Sequence, residues 1–138
     1  MKEALMEKDA PLNQLFKFDI EGKTITHDAS LDNAIARMTK NGKTCLLIKK
    51  EDDKAIGVIS EHDIVMAFAR LGQEAKKAKV SQHMSIDVIA VRETDTINEA
   101  LRVMAAHNVR HLPVLSAEKR QVVDFLSMMD LVTRKMAL

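Results

Sequence analysis

Apolar residues recur along the chain in two matched series, one over residues 24–71 and one over residues 88–136. Each opens with a short stretch rich in β-branched residues, Thr24-Ile25-Thr26 and later Val88-Ile89-Ala90-Val91. Such side chains suit a pleated strand. A polar turn follows in each, closing on Ser30 and on Thr96. Hydroxyl residues at these points are good helix N-caps, because the side-chain oxygen accepts one of the orphan backbone N–H groups. The next apolar positions are Leu31, Ala34, Ile35 and Met38 in the first copy and Ile97, Ala100, Leu101 and Met104 in the second. Both sets fall at i, i+3, i+4 and i+7, the stripe of one buried helix face. Gly42 and Asn108 then stand where a left-handed C-cap would end each helix.

The second half of each copy repeats as well. A strand is predicted at Cys45–Ile48 and at His111–Leu115, each followed by a charged turn. A third strand is predicted at Ala55–Ile59 and at Val122–Leu126. Each copy closes on Ser-x-x-Asp leading into a helix: Ser60 with Asp63, then Ser127 with Asp130. The copies are offset by about 66 residues early and about 67 late, so the second charged turn holds one extra residue. A unit of this size cannot bury its apolar face alone and needs a packing partner. The expected organisation is an N-terminal extension over residues 1–18, a first repeat over 19–79 and a second over 80–138, forming one compact pair. The fold class is α/β (α+β), with the order β-α-β-β-α occurring twice. In the extension, Leu5, Leu12, Leu15 and Phe16 suit a short amphipathic helix that Pro11 starts or breaks. Residues 72–79 read as a surface helix end or loop.

Composition narrows the function classes. Of the 138 residues, 46% are apolar and 30% charged, the balance of a globular protein. There are four Phe and no Tyr or Trp, so the core rests on Leu, Ile, Val, Ala and Met. The shortage of aromatic platforms and a formal net charge of +1 argue against a nucleic-acid partner. No apolar run approaches the ~20 residues that span a bilayer, and the first nine residues lack the apolar core of a signal peptide. A cytoplasmic protein without a membrane partner is expected. The lone Cys45 permits no intrachain disulfide, in keeping with a reducing compartment. It lies in an apolar strand and reads as core rather than nucleophile. His107 and His111 are four apart, but Asn108 ends the helix between them, so no metal site is expected.

The order and duplication of these parts resemble the CBS domain, named after cystathionine β-synthase. The resemblance is carried by Gly57-Val58-Ile59-Ser60-Glu61-His62-Asp63, by His111-Leu112-Pro113-Val114 and by Met84-Ser85-x-Asp87-Val88-Ile89. It covers roughly residues 18–135. It implies two small sheets packed with pseudo-twofold symmetry and helices outside, with clefts between the repeats that take AMP, ADP, ATP, S-adenosylmethionine or a related adenosyl ligand. It implies a homodimer, formed through the helices after the Ser-x-x-Asp entries, which carry Ile64 to Phe68 and Leu131-Val132. No cofactor is required, and any effector would be a separate, unknown protein.

The candidate ligand-binding residues are Gly57, Ser60, His62, Asp63 and Ser85 with Arg110, His111, Pro113, Ser127 and Asp130. Backbone N–H groups and the dipole make a helix N-terminus attractive to anions. There Ser60 and Ser127 either cap the helix or meet a phosphate. Asp63 and Asp130 either complete a capping box or accept ribose hydroxyls, as acidic residues do in dinucleotide folds. Gly57 admits close approach to its backbone. Arg110 offers a fork for phosphate, or is a plain surface charge beside a half-buried His111. Pro113 implies an edge strand or an opening in the ladder. Asp124 stands where the first copy has Gly57, and Asp19 where the second lead-in has Ser85, so the two clefts are expected to be unequal. The leading reading is a regulatory nucleotide-binding module. The alternative is a ligand-free dimerisation scaffold. No nucleophile–base pair supports an enzyme.

Overall fold

The structure, a computed structural model, describes residues 9–138. They divide into two compact units. The first unit is Ile20–Val88; the second joins the segment up to Asp19 with Ile89–Leu138. Leu5, expected in the N-terminal helix, lies outside the described residues.

In the first unit, β1 (Thr24–Thr26) pairs parallel with β2 (Cys45–Lys49), and β2 pairs antiparallel with β3 (Ala55–Ser60). The crossover between β1 and β2 is α2 (Leu31–Asn41), and α3 (Glu61–Leu71) follows β3. The caps of α2 are those the sequence predicts. Ser30 Oγ accepts from Asn33 N at 3.1 Å, and Gly42 closes the helix in the left-handed conformation. The predicted stripe points inward: Leu31, Ala34 and Met38 join Leu46, Ile48 and Ile59 in a shared core. Two short 3-10 turns, Gly72–Lys77 and Val80–Gln82, follow α3. They are more than surface, because Ala75 and Val80 are fully buried in that core.

The second unit repeats the plan. β4 (Val91–Arg92) pairs parallel with β5 (His111–Leu115), which pairs antiparallel with β6 (Val122–Ser127). Helix α4 (Ile97–His107) is the crossover and α5 (Met128–Met136) follows β6. Thr96 caps α4 by accepting from Glu99 N at 3.1 Å, and Asn108 ends it in the left-handed conformation. The N-terminal segment belongs to this unit. Its short helix α1 (Leu12–Leu15) seats Leu12, fully buried, in the second core. Leu12 N donates to Asp95 O at 2.8 Å, and Arg134 Nε donates to Leu15 O at 2.8 Å.

Three expectations change. The strand predicted over residues 88–91 is reduced to Val91–Arg92. In the first unit Leu47 N donates to Lys23 O at 2.9 Å. Pro113 takes the place of Leu47 in the second and has no N–H to give, so parallel pairing begins only at Val91↔Val114. Pro113 itself sits on the central strand, paired with Phe125, so of its two readings the edge strand fails and the opening in the ladder holds. Finally, Ile64, Ala67 and Leu131 face their own cores. The large apolar residues that α3 and α5 turn outward are Val65, Met66 and Leu71, and Met128, Met129 and Met136.

Candidate functional site: the strand-to-helix junctions

In each unit the last strand runs straight into a helix with no loop between. β3 ends at Ser60 and α3 begins at Glu61; β6 ends at Ser127 and α5 begins at Met128. Both serines are extended in backbone, as an N-cap must be. The junction is also tied to the start of the central strand. Glu61 N donates to Thr44 O at 3.0 Å, and Met128 N donates to Arg110 O at 2.8 Å.

The capping box forms at both places. Asp63 N donates to Ser60 Oγ at 3.3 Å, while Asp63 Oδ2 accepts from Ser60 N and from Ser60 Oγ, each at 2.9 Å. Asp130 N donates to Ser127 Oγ at 3.0 Å, and Asp130 Oδ2 accepts from Ser127 N at 2.8 Å. The box uses one carboxylate oxygen of each pair. Oδ1 of the half-buried Asp63 and Asp130 has no partner among the described residues. Each box therefore holds a carboxylate in a fixed orientation at the positive end of a helix with one acceptor to spare.

The ten candidate residues fall five to each unit. In the first, Gly57 and Ser60 lie on β3, and Ser85 of the lead-in segment bridges β3 at Val58. Val58 N donates to Ser85 O at 3.0 Å, and Ser85 N returns a bond to Val58 O at 2.9 Å. This pairing needs Gly57: a Cβ there would lie 2.6 Å from Met84 Sδ and 2.8 Å from Ser85 O. His62 is exposed on the first turn of α3 beside Asp63. Cys45 stands opposite Ser60 in the β2–β3 register. Burial pushes its thiol up to about 12, and the nearby Asp63 carboxylate adds to the effect. A thiol held protonated in this way is packing, not a nucleophile.

In the second unit Ser127 and Asp130 form the junction, and His111 is opposite Ser127. The His111 ring stacks on Phe125, with centroids 5.2 Å apart and planes at 26°. Arg110 is exposed at the mouth of β5, and Pro113 is buried three residues further along. Asp124 is only 2% exposed. Its Oδ1 accepts from Phe125 N at 2.7 Å and its Oδ2 from Asp19 N at 3.4 Å. A carboxylate thus holds the lead-in segment here, where backbone pairing holds it in the first unit. Phe125 and the Asp19–Asp124 contact were not foreseen. The signal was the alignment of Asp124 with Gly57 and of Asp19 with Ser85.

The described residues contain no cluster of three or more His, Cys, Asp or Glu able to hold a metal, and no helix among them is long and apolar enough to cross a membrane.

The sequence model of the CBS domain matches residues 4–70 and 80–136. The fold is similar to that of a CBS-domain containing protein from Agrobacterium tumefaciens, with a TM-score of 0.80, 22% identity, and coverage of 92% of this chain and 94% of that one. It is similar to CBSX2 in complex with AMP, with a TM-score of 0.76, 17% identity, and coverage of 93% and 97%. It is also similar to a CBS domain pair in complex with 5-methylthioadenosine and S-adenosyl-L-methionine, with a TM-score of 0.76, 22% identity, and coverage of 94% and 97%. Curated relatives are longer: the chain spans 48% and 35% of the length of two that it matches at 28% and 27% identity.

Proposed function

The chain belongs to the CBS domain family, and from that membership we propose that it is a regulatory module binding an adenine nucleotide or another adenosyl ligand. The observation that carries this reading is the duplicated junction, at which Asp63 and Asp130 each keep an unpartnered carboxylate oxygen at a helix N-terminus. Two similar folds are complexes with AMP and with S-adenosyl-L-methionine, and AMP, ADP, ATP and S-adenosylmethionine are the candidates here. Asp63 and Asp130 accept ribose hydroxyls. Ser60 and Ser127 shape the anion-binding helix ends, with His62 beside the first. In the first unit Gly57 lets Ser85 pair closely with β3 beside the junction; in the second Pro113 and the stacked His111 flank the junction, and Arg110 supplies the positive charge for phosphate. Ligand bound to both repeats biases their arrangement, and an effector reads the change. The module catalyses nothing, works in the cytoplasm and acts as a homodimer, through the outward Val65, Met66, Leu71, Met129 and Met136.

A thermal-shift screen with AMP, ADP, ATP, NAD and S-adenosylmethionine tests this. Ligand at ~100 times its dissociation constant adds about 2.7 kcal/mol, a rise of several degrees in Tm. No shift with any of them at millimolar concentration would favour the second reading, a ligand-free dimerisation scaffold, which the same outward apolar residues support. Sedimentation at tens of micromolar tests the dimer in either case, and a monomer would contradict it.

A further inference from the structure

The first unit holds a second concavity, at the other end of its sheet from the junction. Cys45 pairs with Ser60 at the junction end, and Lys49 with Ala55 at the far end. Four residues of strand separate them, roughly 13 Å at ~3.3 Å per residue. The concavity is a groove of about 660 Å³, within the ~300–1,000 Å³ of small-molecule sites. Its walls come from three places. One is β1, which pairs with β2 on one side only. Another is a single face of α2, where Asn33, Ala36, Arg37, Lys40 and Asn41 follow helical spacing. The third is the β2–β3 turn, braced by bonds from Lys50 N to Lys54 O and from Asp53 N to Lys50 O. Asn41 Nδ2 donates to Arg37 O at 3.0 Å, and its amide lies against Gly22, which fixes that end of the groove.

The charges of the lining are unevenly matched. Lys49 Nζ is bound to Asp53 at 3.1 Å. Arg37, Lys40 and Lys50 have no carboxylate partner among the described residues. Apart from the Lys49–Asp53 pair, the lining sets Arg37, Lys40 and Lys50 against Glu21 and Glu51, an excess of one positive charge. Thr24, Thr26 and Asn33 add neutral hydrogen-bonding groups. One guanidinium and two ammonium groups in a lining that also holds hydroxyl and amide groups suit a phosphate ester. A carboxylate ligand would need fewer cations, and the chain's net charge of +1 gives no broad field for nucleic acid.

We propose that this groove between β1, α2 and the β2–β3 turn binds a phosphorylated small molecule of about nucleotide size through Arg37, Lys40 and Lys50. The site is independent of the strand-to-helix junctions and does not rest on their assignment. Inorganic pyrophosphate, which carries no adenosine, is the probe, titrated into the 138-residue chain and followed by amide resonances. The expected result is saturable shifts at residues 24–26, 33–41 and 49–51 that weaken with added salt. The double variant Arg37→Glu with Lys40→Glu, both exposed, should weaken binding at least tenfold without lowering the Tm, and Lys50→Glu should do so by several-fold. AMP shifts at Ser60 and Asp63 should survive in the double variant, so a failure there and a failure here are separately visible. Shifts confined to residues 60–63 and 127–130 would overturn the proposal. So would no saturation at millimolar pyrophosphate, unchanged affinity in the double variant, or tighter binding of an oligoglutamate peptide to the same residues.

Discussion

Replacing Gly57 by Ala adds one methyl group at the tightest point of the first unit. The new Cβ would lie 2.6 Å from Met84 Sδ, 2.8 Å from Ser85 O and 3.1 Å from Met84 Cγ. The thioether ends a flexible side chain and can swing away. The Ser85 carbonyl cannot move alone, because it accepts from Val58 N at 3.0 Å while Ser85 N donates to Val58 O at 2.9 Å. Ordinary contact begins near 3.4 Å, so the lead-in backbone must retreat by about 0.6 Å. Overpacking of this kind costs about 1–3 kcal/mol, and weakening two backbone bonds worth about 1 kcal/mol each gives a similar figure. A loss of about 2 kcal/mol, or roughly 6–10 °C in Tm, is expected for Gly57→Ala. Urea unfolding at neutral pH measures it. The double variant with Met84→Ala separates the two contacts: it removes the sulfur but leaves the carbonyl in place. If Gly57→Ala costs less than about 0.5 kcal/mol, the close approach is not rigid. If Met84→Ala abolishes the cost, the side chain and not the bridge was responsible.

Cys45 makes stability depend on alkaline pH. Its thiol stays protonated in the fold up to about 12 but ionises near the ordinary 9.0 once unfolded. Its contribution is therefore complete below pH 9 and declines above it, by about 1.4 kcal/mol per pH unit; Cys45→Ala should lack that part of the decline in denaturation curves at pH 8 and pH 10. Asp124→Ala removes the acceptor of Phe125 N and Asp19 N, and at about 1.5–3 kcal/mol for a bond to a charged group it should destabilise the second unit, with faster hydrogen exchange at those two amides; unchanged exchange would refute the role given to Asp124. Asp63→Ala should weaken nucleotide binding by roughly 10- to 150-fold, and Asp130→Ala by less; calorimetry showing equal losses would mean two equivalent sites. If the proposed dimer forms through α3 and α5, Val65→Glu with Met129→Glu should give a monomer in sedimentation with an unchanged far-UV circular dichroism spectrum; a dimer that persists would refute this interface.

The helices and their caps were legible because each depends on residues close in sequence. The Leu31 and Ile97 stripes, the Ser30 and Thr96 caps and the Gly42 and Asn108 ends all satisfy local rules. What eluded the sequence reading depends on partners far away in the chain. Val88, Ile89 and Ala90 have reasonable strand character, yet strand length is decided by the opposite strand, and Pro113 withholds the N–H that would extend the pairing. Ala75 and Val80 sit in a run of lysines without apolar periodicity, so their burial was invisible. The capping boxes could be read from Ser-x-x-Asp, but only the geometry distinguishes the bonded oxygen from the open one. The basic groove was not legible at all, because its four lysines and arginines are divided between α2, the end of β2 and the turn that follows it.

The two departures of the second repeat act on opposite flanks of one sheet. Pro113 removes a donor on the β4 side of β5, and β4 is left with two residues against three in β1. Asp124 is on β6, the counterpart of the strand on which Val58 exchanges two backbone bonds with Ser85 in the first unit. Here the carboxylate takes Phe125 N and Asp19 N instead. Backbone pairing fixes both distance and direction between two strands, whereas a carboxylate offers two acceptors on one rotatable side chain. The first unit therefore frames its junction with backbone on both flanks. The second frames it with a proline gap and a buried acid, while its capping box remains as well formed as that of the first. The inequality between the junctions resides in the segments that flank them and not in the Ser-x-x-Asp entries. Selectivity for one ligand over another is accordingly expected to follow substitutions at Gly57, Pro113 and Asp124 more than at Ser60 or Ser127.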